Sequence, residues 1–258
     1  MKVKILGISG SPRHGNTEIL VKEALASAKE LSDVETDYYA LAGKNINACT
    51  ACARCSGAEA TPENPCPRYP DDVVVLVKKM IESDGLIVGT PVYVGGVTAQ
   101  LKAVFDRSIN MTEFGPLGPV GARNKVVGAV VSAWDREGGH CMTILDIWKW
   151  AILQDMVIVG TGPERIDSVS YWGGCAIQAY HGDKPEPFWD AVCTPEELTA
   201  VKYDKLGLQS CRRIGKRVAE MTKVVKAGFG TLPREQTYWP YGPAGGFLGP
   251  DGKPYEHL

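Results

Sequence analysis

Short apolar runs alternate with segments of helical period along this chain. That alternation is the strongest constraint on its fold, because strands interleaved with helices close into a parallel sheet covered on both faces. Residues 2–9 read as a buried strand, and 17–31 as a helix with Leu20, Ala24, Ala28 and Leu31 on one face. Further strands are expected over 35–41, 85–90, 124–132 and 157–160, giving five in all. The intervening helices are expected over 71–83, 98–109 and 140–153, with a closing helix over 204–227. The 98–109 helix turns Leu101, Val104, Phe105 and Ser108 inward, Lys102 and Asp106 form an exposed ion pair, and Arg107 is expected to contribute no more than that pair. The 140–153 helix is read with Cys141, Leu145, Trp148 and Ile152 inward, and the last helix with Cys211, Ile214, Val218, Met221 and Val225 in register. This is an α/β, doubly wound five-stranded sheet, whose ligands sit beyond the carboxyl ends of the strands.

The segment between the second strand and second helix carries Cys49, Cys52 and Cys55 at CxxCxxC spacing, then Cys66 followed by Pro67. Thiolates so spaced can converge on one inorganic centre, and a tight run closed by Cys-Pro is how chains wrap a cuboidal iron-sulfur cluster. A structural zinc ion, more often gripped by two separated pairs, is the alternative; a disulfide fits the pattern least. The stretch 56–65 before the fourth cysteine is longer than in the bacterial ferredoxin run.

Composition narrows the partners. With 258 residues, 44% hydrophobic, 22% charged and a net charge of -2, the chain lacks the basic face that nucleic acid or an anionic membrane requires. The first apolar run is too short for a signal peptide, and no later stretch reaches membrane-spanning length. Eight cysteines without a secretion signal point to reduced thiols or metal ligands and to the cytoplasm. Residues 163–202 read as an irregular insertion within a domain spanning 1–227. The 228–258 stretch reads as a Gly/Pro/aromatic arm packed on its own subunit or a neighbour.

Three loops at strand ends carry ligand chemistry. The first, from Ser9 through Ser11, Arg13 and Asn16 to Thr17, opens a helix, where N–H groups, hydroxyls and a guanidinium suit a terminal monophosphate. It is neither GxGxxG nor GxxxxGK[ST]; the plain alternative is a capped strand-to-helix turn. The second, Pro91, Val92, Tyr93, Val94, Gly95 and Gly96, offers a flat aromatic face and backbone that a planar ring such as a flavin can approach. The third, Ser132 through Trp134 to Gly138 and Gly139, can wrap the other edge of that ring.

The order GSPRxxxNT, TPVYxGGxxAxLKxxxDR, SxxxxxGG resembles the NADPH-dependent FMN reductase family of flavodoxin-like proteins. With the cysteine cluster, the chain is similar to that family's iron-sulfur flavoprotein branch. The resemblance implies FMN, its phosphate held by Ser9, Ser11, Arg13, Asn16 and Thr17 and its ring along Pro91, Tyr93 and Gly95. It also implies a 4Fe-4S cluster on Cys49, Cys52, Cys55 and Cys66. The expected activity is electron transfer from NAD(P)H or a ferredoxin to a further acceptor, in a homo-oligomer, dimer or tetramer. In the flavodoxin-like order the cysteine loop follows an edge strand, while a flavin lies over the first and third strands. Contact between the two within one chain is therefore expected to be limited, with a neighbouring subunit closing the gap.

Overall fold

The computed structural model describes residues 1–112, 121–163, 170–178 and 197–232. Strands β1 (Val3–Ser9), β2 (Val34–Ala40), β3 (Gly85–Pro91), β4 (Val126–Ala133) and β5 (Val157–Ile158) lie in the parallel order β2-β1-β3-β4-β5. Central strands β1, β3 and β4 are buried along almost their whole length, as strands covered on both faces must be. Helices α1 (Asn16–Ala28) and α5 (Lys205–Thr231) cover one face, packing Leu20, Val21, Ile214 and Val218 against Ile5, Ile87 and Val130. Helices α2 (Asp72–Ile81), α3 (Ala99–Arg107) and α4 (His140–Leu153) cover the other, with Leu76, Met80, Leu101 and Ile144 on Leu6, Val88 and Val131.

A sixth strand corrects the expected five. β5 pairs only with Val126 and Val127, and the chain then returns as β6 (Gly174–Ile177), parallel to β4 at Val130–Ala133. The fifth position of the sheet is thus built from two short pieces. The stretch read as an irregular insertion contributes β6 and a 3₁₀ helix, Glu197–Tyr203. β6 has four residues, the first of them Gly174 with Gly173 before it, too short and too plain for a period-2 signal. Helix α5 continues through Gly228 and Gly230 to Thr231, beyond its expected end at 227. The remainder of the aromatic arm lies outside the described residues.

The register of α4 also differs. Its buried residues are His140, Thr143, Ile144, Ile147, Trp150 and Ala151, while Cys141 is exposed and Ile152 is 67% exposed. Leu145 and Trp148 are only partly covered. This helix is apolar nearly all round, so a 3.6-residue period fits two stripes equally well and periodicity cannot choose between them.

Helices α1 and α5 approach so closely that an ideal Cβ on Gly215 would lie 1.9 Å from the Ala24 carbonyl oxygen. A backbone atom cannot swing aside, so Gly215→Ala is expected to destabilise the fold by roughly 1–3 kcal/mol or more. Gly228, in the same helix with nothing within 4 Å of its ideal Cβ, is the control. There alanine is expected to stabilise by about 0.5–1 kcal/mol, read as denaturant midpoints moving in opposite directions at unchanged slope.

Candidate functional site

The ends of β1, β3 and β4 are tied into one surface. Gly10 donates its N–H to the Gly89 carbonyl at 2.7 Å, and Thr98 Oγ1 donates to the Gly10 carbonyl at 2.6 Å. Val92 donates to the Ser132 carbonyl at 2.8 Å, and the hydroxyls of Thr17 and Ser132 lie 3.3 Å apart. Tyr93 and Gly96 exchange backbone hydrogen bonds of 2.9 and 3.1 Å across a two-residue turn whose Val94 and Gly95 have φ of 49° and 80°. Left-handed backbone at a β-branched residue is strained, and Val94 stands fully exposed at the tip. Gly139, at φ 96°, closes against this turn; its ideal Cβ would meet Val92 Cγ1 at 3.4 Å and the Gly95 Cα at 3.5 Å. Trp134 and Gly138 are half-buried behind it.

The first loop is compact. Ser9, Ser11 and Thr17 are buried, Ser11 Oγ accepts from the Arg13 N–H at 3.1 Å, and Arg13 is exposed. No side chain caps the N-terminus of α1, and the first turn of a helix favours an anion. Asn16 is engaged elsewhere. Its amide donates to Gln178 Oε1 at 3.1 Å, and its oxygen accepts from the Val201 N–H at 3.1 Å. An ideal Cβ on Gly15 would lie 2.2 Å from the Leu198 carbonyl, so the 3₁₀ helix rests directly on this loop. Ser11, Arg13, Asn16, Thr17 and Pro91 line a crevice of about 20 Å³, room for about one water. The donor set fits a phosphate, and seating one requires the 3₁₀ helix or the Asn16 amide to give way.

All four cysteines of the cluster motif line one cavity of about 1080 Å³, and Tyr93, Val94 and Gly96 line it too. The cysteine loop and the Tyr93 turn thus border the same space within one chain. Among the described residues, no three His, Cys, Asp or Glu side chains converge closely enough to hold a metal ion. The backbone nevertheless has the shape of a cradle. Ala51 and Ala53 adopt φ of 50° and 55° between negative-φ neighbours, an alternation that turns N–H groups towards a common centre, as around iron-sulfur sites. The Ala51 N–H already donates to Cys49 Sγ at 3.4 Å. A hydrogen bond from the Arg54 backbone is the largest influence holding the Cys52 thiol below its ordinary pKa.

The remaining motif residues separate clearly. Cys211 is buried as expected, and burial pushes its thiol well above the ordinary range; Cys175, also buried, is pushed up to about 11. His14 pairs with Glu18 at 2.8 Å, and the buried His140 ring meets the Ala176 carbonyl at 2.9 Å. Trp172 packs on Trp148 with ring centroids 5.3 Å apart, and Tyr171 is exposed. Lys102 and Asp106 form the exposed pair. His181, Trp189, Cys193 and His257 lie outside the described residues.

Arg107, expected to contribute no more than that exposed pair, is instead buried. It meets Asp71 at 2.5 Å with both side chains 2% exposed. Its other bonds run to the carbonyls of Asn47 at 3.1 Å and Tyr69 at 2.9 Å. Asp71 caps α2 through the Val73 N–H at 3.2 Å and accepts twice from Asn47, at 3.0 and 2.9 Å. One ion pair thus fastens both ends of the cysteine loop to α3. A sequence signal was present: Arg107 stands three residues after Val104, a member of the inward face. Burial raises the Asp71 pKa, but bonds from Arg107 and Asn47 outweigh it and leave the carboxyl below its ordinary range. The stability this contributes is complete above the unfolded value of about 3.9 and fades as pH falls through the depressed folded value. Asp71→Asn, which strands a buried guanidinium, is expected to cost on the order of 3–5 kcal/mol at neutral pH and less in acid, measured by denaturant unfolding across pH.

Comparison with known proteins accords with this geometry. Residues 3–163 match the NADPH-dependent FMN reductase family. The chain is 39% identical over 225 residues to an iron-sulfur flavoprotein of Methanocaldococcus jannaschii, covering 87% of this chain and 100% of that one. An iron-sulfur flavoprotein of Archaeoglobus fulgidus is 32% identical over 219 residues, covering 84% of this chain and 96% of the relative. Among solved structures, a flavone reductase superposes with TM-score 0.56 at 20% identity, over 86% of this chain and 64% of that one. A WrbA-like flavodoxin of Agrobacterium tumefaciens gives 0.52 at 16% identity, over 86% and 99%. These two superpositions speak to the flavodoxin-like fold alone. Family match and full-length relatives together place this chain in the NADPH-dependent FMN reductase family, within its iron-sulfur flavoprotein branch.

Proposed function

We propose that this chain is an oxidoreductase carrying FMN and a 4Fe-4S cluster, passing electrons between NAD(P)H or a ferredoxin and a further acceptor. The observation that carries the reading is the single cavity lined by Cys49, Cys52, Cys55, Cys66 and the Tyr93 turn. Relatives whose names pair iron-sulfur with flavoprotein support it. When bound, FMN supplies exchange of electron pairs for single electrons, and the cluster supplies one-electron transfer.

The chain's own residues supply position and environment. The uncapped start of α1, the buried hydroxyls of Ser9, Ser11 and Thr17, and the Arg13 guanidinium would hold the phosphate dianion, with Asn16 joining once released from Gln178. Tyr93 and the glycine backbone at 95, 138 and 139 would bracket the ring, with Pro91, Val92, Val94, Ser132 and Trp134 around it. The four thiolates would take the iron corners, and the inward N–H groups of the left-handed alanine turns would offset their charge. A homo-oligomer, dimer or tetramer, belongs to the same proposal, and the exposed Met142, Ile152 and Leu153 on α4 offer apolar contact for it. No described helix is long and apolar enough to cross a membrane, and none of the described cysteines is in a disulfide. A cytoplasmic location is proposed on the same grounds.

Protein purified without air is expected to be brown, with iron and sulfide each near about four per chain. Stoichiometric zinc from iron-replete cells would contradict this. Cys52→Ala is expected to lose the iron and keep the flavin, and Cys141→Ala to keep both. Removing one charge-assisted bond through Arg13→Ala is expected to weaken FMN by about 1.5–3 kcal/mol, measured by fluorescence titration of the apoprotein. FAD should compete poorly, and equal binding of FAD and FMN would rule out a monophosphate site.

A further inference from the structure

The fourth cysteine, Cys66, is separated from Cys55 by the stretch 56–65, so sequence spacing alone does not fix its place. The structure fixes it from α3 instead. Asn110, just beyond α3, donates to the Pro65 carbonyl at 3.5 Å; the Tyr69 N–H donates to the Cys66 carbonyl at 3.1 Å; Arg107 donates to the Tyr69 carbonyl at 2.9 Å. Cys66 is therefore bracketed on both sides by two side chains of one segment. Both line the cysteine cavity, and both are buried, Arg107 to 3% and Asn110 to 1% exposure. Each also keeps one buried polar atom without a protein partner: Nε of Arg107 and Oδ1 of Asn110. A buried N–H donor left over after the other guanidinium nitrogens are bonded is costly unless something completes it. Cys66 lines that same cavity.

We propose that Arg107 is a positioning residue for the iron-sulfur cluster. It sets the place of Cys66 through Tyr69, and its unpartnered Nε–H donates to the Cys66 sulfur once that sulfur ligates iron. A fixed positive charge and a hydrogen bond at a ligand sulfur both stabilise the more negative, reduced cluster, so the second consequence is a raised reduction potential. Asp71 neutralises part of this charge, while the donated hydrogen bond remains directed at one sulfur. The inference rests on the proposed cluster ligation.

The test is an EPR-monitored redox titration of anaerobic holoprotein as wild type, Arg107→Gln, Arg107→Lys and Lys102→Gln. Lys102 lines the same cavity but stands in the exposed pair with Asp106, so it controls for loss of any nearby charge. Arg107→Gln is expected to lower the ratio of reduced to oxidised cluster about tenfold at fixed potential, a shift of about 59 mV for one electron. Arg107→Lys, keeping charge without the fork, should fall between it and wild type, and Lys102→Gln should match wild type. An unshifted Arg107→Gln, or equal shifts in Arg107→Gln and Lys102→Gln, overturns the proposal. If Arg107→Gln takes up no cluster, Arg107→Lys decides: a potential below the wild type's, or loss of iron from a protein that still folds, supports the proposal, and a wild-type potential overturns it. Absence of iron from the wild type would instead overturn the ligation on which the inference rests.

Discussion

The buried pairing of Arg107 with Asp71 is the interaction on which the candidate site depends. Residues 43–70 leave the sheet after its edge strand, and nothing in a doubly wound fold obliges them to return to its centre. Burying two charges costs several kcal/mol per ion and holds only when hydrogen bonds satisfy both partners. Here the guanidinium is shared between Asp71 and the carbonyls of Asn47 and Tyr69, while the carboxylate is shared among Arg107, Asn47 and the first turn of α2. That geometry leaves the loop one place to go, across the end of α3, which puts its cysteines on the cavity that the Tyr93 turn also lines.

A second constraint acts from the sheet. Because β1, β3 and β4 are adjacent and parallel, their following loops emerge at one end. Thr98, Thr17 and Ser132 stitch those loops together through short polar contacts buried beneath the surface. The exposed Val94 is held in a left-handed conformation, and Gly139 supplies the positive φ with which the neighbouring loop meets this turn. A rigid sheet thus presents loops whose backbone is held in unusual conformations by their neighbours, the arrangement expected of a surface built to hold a ligand.

The legibility of the sequence follows the same physics. Every expected helix, and each of the five expected strands, has a counterpart because alternation and helical period are local properties that the sheet reinforces. Helix α4 was ambiguous because Met142, Ile144, Leu145, Ile147, Trp148, Trp150, Ile152 and Leu153 leave no polar face to orient it. β6 escaped notice because it completes a position already half filled by β5 and needs no amphipathic pattern of its own. Arg107 was misread because its partner lies 36 residues away, while Lys102 and Asp106 beside it supply the pattern of an exposed charged face. The hold of Val201 and Gln178 on Asn16 was equally invisible, since it depends on how the late segments of the chain fold back on the first loop.

The central claim is that the four cysteines, drawn in by Arg107, hold iron in the cavity shared with the Tyr93 turn. Anomalous diffraction recorded on either side of the iron absorption edge, from crystals of anaerobically purified protein, tests it most directly. The account predicts an iron signal inside that cavity, bounded by Cys49, Cys52, Cys55 and Cys66, with Arg107 beside Cys66. A signal at the zinc edge in its place, or iron bound by a set of residues that omits Cys66, would contradict it.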